Sequence, residues 1–170
     1  TGEQRESLWM TTKLRDSEQG YDSAMHAFDR SLELLQLDYV DMYMIHWPTP
    51  FDWRSGETWK AFAKLREDGR VRTLGVCNFM PEHLDRLYEE TGEYPTVNQI
   101  ELHPTWQQRD VVEYCHAHDI AVEAYSPMAR GADLADRGGA WCDPCAGDFA
   151  LAYRERHDHH PQVRAYRAPA

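Results

Sequence analysis

An alternation along the chain limits its fold more than any other feature. Short runs of β-branched and large apolar residues take turns with longer stretches whose apolar residues recur at helical spacing. Leu8-Trp9-Met10-Thr11-Thr12-Lys13 reads as a first strand. Ala24, Phe28, Ser31, Leu32 and Leu35 mark a helix over residues 22–36, with Asp22 as its expected N-cap. Residues 40–46 form the next expected strand, which stops at Trp47-Pro48 because proline has no N–H to give a sheet ladder. A helix over 57–67, with Trp59, Phe62, Ala63 and Leu65 on its apolar face, ends at Asp68-Gly69, where glycine can take a left-handed cap. A third strand, 71–76, leads to a helix over 81–90 that Pro81 opens, its missing N–H harmless in a first turn. Strands over 96–102 and 120–125 flank a last helix over 108–118. The order β-α-β-α-β-α-β-α-β, with short links, predicts an α/β fold with a mainly parallel, helix-covered sheet.

Composition narrows the function. The net charge of −11 argues against a general nucleic-acid binder, which needs a basic footprint. No stretch of the sequence is apolar for long enough to cross a membrane as a helix, and no signal peptide is visible. Cys77 and Cys115 sit among apolar residues and are expected to be buried small hydrophobes. Cys142 and Cys145 make a lone C-x-x-C without the second pair that zinc usually wants, and His157-Asp158-His159-His160 reads as a solvated segment, so no metal site is expected. A reducing, cytoplasmic setting follows from this cysteine usage.

Polar groups gather at one end of the strands. Lys13 and His46 end the first two, Asn78 follows the third, Gln99 lies in the fourth, and Tyr125-Ser126 ends the fifth. In a βα barrel that edge carries the chemistry, and in an open doubly wound sheet it is the ligand crevice. Taken singly, Lys13 fits a solvated strand end and His46 a satisfied core histidine. Together they suit carbonyl chemistry. An ammonium lowers the pKa of a neighbouring hydroxyl acid, and a neutral imidazole can hold a carbonyl oxygen as negative charge develops on it.

Four segments carry a family resemblance. LDYVDMYMIHWP over residues 37–48, GRVRTLGVCNF over 69–79, VNQIELHP over 97–104 and AYSP over 124–127 resemble, in order and spacing, motifs of the aldo-keto reductases. The flavour is similar to the bacterial 2,5-diketo-gluconate reductase branch. The resemblance covers residues 7–130 and implies strands three to seven of a (β/α)8 TIM barrel. It also implies NADPH-dependent reduction of an aldehyde or ketone, a small-molecule carbonyl substrate, to an alcohol. By the same resemblance Lys13 tunes a tyrosine proton donor, His46 orients the carbonyl and Trp47 lines the substrate pocket. Asn78 and Gln99 would bind the nicotinamide carboxamide, Tyr125 would stack on the nicotinamide ring, and Ser126 would begin the loop that approaches the pyrophosphate. Trp53 is expected at the pocket rim with Trp47, and Trp59 in the core.

The departures are also specific. The family's tyrosine and aspartate come from segments upstream of Thr1, and Tyr21, Tyr39 and Tyr43 do not occupy the matching motif, so this chain is expected to lack the proton donor. Cys77 replaces a serine beside Asn78, and a thiol is the weaker donor. The family's later "PKS" and arginine segment, which holds the adenosine 2′-phosphate, is missing. The expected organisation is a partial barrel over 1–130 and a divergent or disordered tail over 131–170, with a possible short helix over 149–153. The chain is expected to be a monomer that contacts neither nucleic acid nor membrane. Three functions follow: a nicotinamide-dependent carbonyl reductase, a catalytically inactive nucleotide- or partner-binding fragment, or a nonfunctional gene remnant.

Overall fold

The computed structural model describes residues 4–129. The expectations for Cys142, Cys145, residues 149–153, residues 157–160 and the 131–170 tail lie outside the described residues. One compact unit runs Thr1–Pro127.

Its elements are β1 (Thr11–Leu14), α1 (Tyr21–Leu35), β2 (Val40–Ile45), α2 (Ser55–Glu67), β3 (Val71–Cys77), α3 (Pro81–Thr91), β4 (Val97–Glu101), α4 (Arg109–Ala117) and β5 (Ala121–Tyr125). The five strands pair in parallel in the order β1-β2-β3-β4-β5. A doubly wound sheet would reverse its strand order, whereas this one steps sideways in one direction, as the wall of a (β/α)8 barrel does.

Alternation along the strands sorts side chains between two faces. Tyr43 and Ile45 of β2, Leu74 and Val76 of β3 and Ile100 of β4 join Phe28, Phe62, Leu65, Leu84 and Leu87 in one buried core between sheet and helices. Tyr43 is its centre. Its ring packs 4.9 Å from Phe28 of α1 and stacks 4.3 Å from Phe62 of α2. On the opposite face Met42, Met44 and Cys77 form a smaller cluster with Val97. Gly75 sits among them because a Cβ there would stand 2.9 Å from Met44 Cε and 3.2 Å from the Val97 carbonyl oxygen.

A clamp holds the N-terminal end of the sheet. The Asp41 carboxylate is buried and accepts hydrogen bonds from Arg5, Arg72 and the Met10 N–H, each at 2.8 Å. The two guanidiniums also lie over the Tyr39 ring, at 4.0 and 4.5 Å. This end carries conformational support, while the site gathers at the other.

Several expected boundaries move. β1 starts at Thr11, not Leu8, because residues 5–7 turn as a 3-10 helix that leaves Leu8 and Trp9 exposed. α1 is capped by Gly20, at φ +113°, and Asp22 lies within its first turn. The Gly20 N–H donates to Thr58 Oγ1 at 2.8 Å, and its carbonyl accepts the Ala24 N–H at 3.0 Å. Leu35, expected on the buried stripe, is exposed at the end of α1, and Ala27 takes the stripe position instead. α2 begins at Ser55, two residues early, because Ser55 and Thr58 are buried and hydrogen-bonded.

Candidate functional site

The C-terminal ends of the strands bring together the residues that the sequence places there. They do so with strained backbone. Thr49, Asn78, Gln108 and Ser126 follow or flank β2, β3, β4 and β5, and all have positive φ, from 40° to 61°. Left-handed conformations are uncommon outside glycine, and Asn accepts them most readily. At Asn78 the turn lifts the amide out of the β3 ladder and across the strand ends.

The Asn78 amide is the hub. Its Nδ2 donates to the His46 carbonyl oxygen at 3.2 Å, and its Oδ1 accepts from the Tyr125 hydroxyl at 3.0 Å. One side chain thus ties the end of β2 to the end of β5 across β3 and β4. The Asn78 N–H donates to the Gln99 carbonyl at 3.0 Å. His46 itself is half-exposed, its N–H anchored on the Leu14 carbonyl and its Nδ1 3.9 Å from an Asp16 carboxylate oxygen.

A second chain of contacts runs over the concave face. Lys13 donates to Gln99 Oε1, and Gln99 Nε2 donates to Glu123 at 2.8 Å. The ammonium requires an acceptor and the carboxylate a donor, so the two charges fix which end of the Gln99 amide points where. Cys77 lies in the same layer, 3.9 Å from Gln99 Oε1. Burial pushes its thiol up to about 12, with Glu123 adding to the rise and Lys13 opposing it. It is therefore a neutral thiol, and both Cys77 and Cys115 are buried and free, as expected.

Beside this hub lies a cleft of about 560 Å³, whose wall includes Asp16, Trp47, Asn78, Glu101, Trp106 and Tyr125. Trp47 reaches it and stays partly exposed. Trp59 is core, as expected. Trp53 is not at the rim. Its ring packs against His83 and Phe79, its Nε1 donates to Glu90 at 2.9 Å, and Arg86 lies over it at 4.5 Å. Ser126 stands directly after β5 in its left-handed turn.

Sequence reasoning missed three contributors. Gln19 is buried, donates to the Trp47 carbonyl at 2.7 Å and accepts from Ser55 at 3.1 Å, so it holds the loop that carries Trp47. Glu123 orients Gln99, and Asp16 faces His46. Glu123 could have been found, since it lies two residues before Tyr125 and so on the same face of β5. Asp16 opens a one-turn 3-10 helix over Asp16–Glu18 and Gln19 closes it, a segment too short for any periodicity to mark a facing direction.

Residues 1–137 match the aldo/keto reductase family. An aldo-keto reductase of Mycolicibacterium smegmatis is 50% identical over 136 residues, which are 80% of this chain and 50% of that protein. Methylglyoxal reductase DkgA of Yersinia pestis is 48% identical over 127 residues, 75% of this chain and 45% of its own. Among solved structures, a mutant of Gox0644 in complex with NADPH superposes with a TM-score of 0.76 at 42% identity, covering 88% of this chain and 52% of that one. A putative 2,5-diketo-D-gluconic acid reductase B does so at 0.74 and 29% identity, covering 80% and 48%. The chain spans about half the length of these relatives.

Proposed function

The chain belongs to the aldo-keto reductase family, and on that premise we propose that it supplies the lysine, the histidine and the nicotinamide-binding edge of an NADPH-dependent reductase of aldehydes or ketones. The observation that carries this is the Asn78 hub, which joins His46 and Tyr125 at one strand edge beside a cleft. The donor set suits a nicotinamide. Asn78 and Gln99 are primary amides, each able to give and accept hydrogen bonds with a carboxamide, and the half-buried Tyr125 ring offers a flat face. Ser126 begins the loop assigned to the pyrophosphate, and Trp47 is assigned to the substrate wall.

When bound, NADPH supplies the hydride that reaches the carbonyl carbon. His46 holds the carbonyl oxygen as charge grows on it, and the proton for that oxygen comes from a hydroxyl acid that Lys13 polarises. Three tyrosine hydroxyls of this chain are poorly placed to give that proton. Tyr43 is buried among the helices, Tyr114 donates to Asp85, and Tyr125 donates to Asn78. Cys77 is a poor substitute, being a buried neutral thiol. We therefore expect the 170-residue chain alone to bind NADPH and to turn over little. The Lys13–Gln99 contact favours a second reading, a nucleotide-binding module without turnover.

NADPH oxidation with methylglyoxal or benzaldehyde, beside an NADPH fluorescence titration, tests both. Cofactor quenching with negligible oxidation is the expected result. Robust turnover that Lys13→Ala and His46→Ala abolish defeats the expectation of an incomplete site, and no quenching at all defeats the cofactor assignment. A cytoplasmic monomer acting on small carbonyls, with a partial barrel over 1–130, completes the proposal; sedimentation of the chain as a dimer would contradict its monomeric part.

A further inference from the structure

We propose that Asn98 is the positioning residue of this site and holds Asn78 in its left-handed, cleft-facing conformation from behind the sheet. This rests on the assignment of Asn78 to the nicotinamide carboxamide. Asn98 neighbours Gln99 on β4 but points the other way, toward the helices, and is fully buried. Its Nδ2 donates to the Phe79 carbonyl at 2.8 Å and lies 3.6 Å from Cys115 Sγ of α4. Its Oδ1 accepts the Phe79 N–H at 3.4 Å. A side-chain amide that takes both backbone groups of one residue imitates a neighbouring strand. It continues the β4 ladder for one step after β3 has ended.

The consequence falls on the residue before. Asn78 is gripped by the Gln99 carbonyl at its N–H, and its successor is gripped by Asn98 at both polar groups. The φ of +61° at Asn78 is thereby enclosed between two fixed peptides. Strained backbone persists where its surroundings over-determine it. Phe79 is itself buried, so without Asn98 its N–H and carbonyl would be left unpaired in the core. Relaxing that strain swings residue 78 out of the turn and takes its amide off His46 and Tyr125. The adjacent pair Asn98-Gln99 therefore serves one site from both faces of a strand. Gln99 meets the site directly, and Asn98 acts only through Asn78.

Two measurements on the 170-residue chain test this. Amide hydrogen exchange in Asn98→Ala should speed Asn78 and Phe79 by roughly ten-fold or more, with β2 amides unchanged. Uniform acceleration across the sheet, as from general destabilisation, overturns the proposal. Asn98→Leu keeps the volume without the hydrogen bonds and should give the same local pattern. If neither variant folds, Asn98 is a requirement of the core and the proposal fails. NADPH titration then closes a double-mutant cycle. Asn98→Ala and Asn78→Ala should each weaken binding, and the double variant should bind no worse than Asn78→Ala. Additive losses overturn the proposal. A wild-type chain that binds no NADPH defeats the cofactor assignment alone, and the exchange pattern still decides whether Asn98 holds Asn78.

Discussion

Single residues in this structure are governed by whether buried polar atoms find partners. Tyr43 Oη finds none among the described residues, although its ring anchors the core. Burial, with Glu18 adding to it, holds its phenol well above the usual tyrosine range, so the hydroxyl stays protonated. Tyr43→Phe keeps the packing and removes the orphan, so thermal unfolding should show equal stability or a gain of up to about 1 kcal/mol. Asp41 is the opposite case. Its buried carboxylate satisfies two arginines and a backbone N–H at once. Asp41→Ala takes the acceptor from the partly buried Arg5 and the Met10 N–H, while the half-exposed Arg72 turns to water, and should cost about 1–3 kcal/mol in urea unfolding. A loss below about 1 kcal/mol would mean that the clamp is ornamental.

Two helix ends rest on groups that the local sequence does not advertise. α1 closes on Gln36 at φ +54°, a conformation that suits glycine better. Gln36→Gly should therefore stabilise the chain, by about 0.5–1 kcal/mol. α3 starts at Pro81 without a serine or aspartate cap, and His83 Nδ1 accepts the Met80 N–H at 3.1 Å instead. That acceptor exists only on a neutral ring. Burial lowers the His83 pKa, so below its ordinary value near 6.5 the unfolded chain takes up the proton first and stability falls as pH drops toward the folded value. His83→Gln keeps an acceptor and does not titrate. Urea midpoints between about pH 5 and 6.5 should fall less steeply in that variant than in the wild type.

Across the whole molecule, protection should follow strand position. β2 is buried at every residue and flanked on both sides, whereas β5 has no fully buried residue and pairs on one side among the described residues. Native-state hydrogen exchange should find β5 amides at least roughly ten-fold less protected than β2 amides. Equal protection would mean that the sheet opens as one unit. The site takes residues from both regimes, since Lys13 and Tyr125 come from the outer strands and Asn78 and Gln99 from inner ones. Its Asn78 hub is therefore expected to tighten β5 when a ligand occupies it.

The element order, the parallel sheet and the strand ends at which Lys13, His46, Asn78, Gln99 and Tyr125 gather were all legible in the residues alone. They follow from periodicity and from proline and glycine stops, which are local properties. The same local signals misplaced the start of β1, because Leu8 and Trp9 have strand propensity but no strand beside them, and they sent Trp53 to the rim when α3 claims it. Which groups touch was left to the assembled fold. Asn98 and Gln99 are neighbours of one chemical type, yet the pleat sends one amide to Phe79 and the other to Lys13 and Glu123. Asp16 and Gln19 gained their places from a single 3-10 turn between β1 and α1. A hydrogen bond depends on positions that folding brings together from distant parts of the chain, so composition and spacing can name the candidates but cannot pair them.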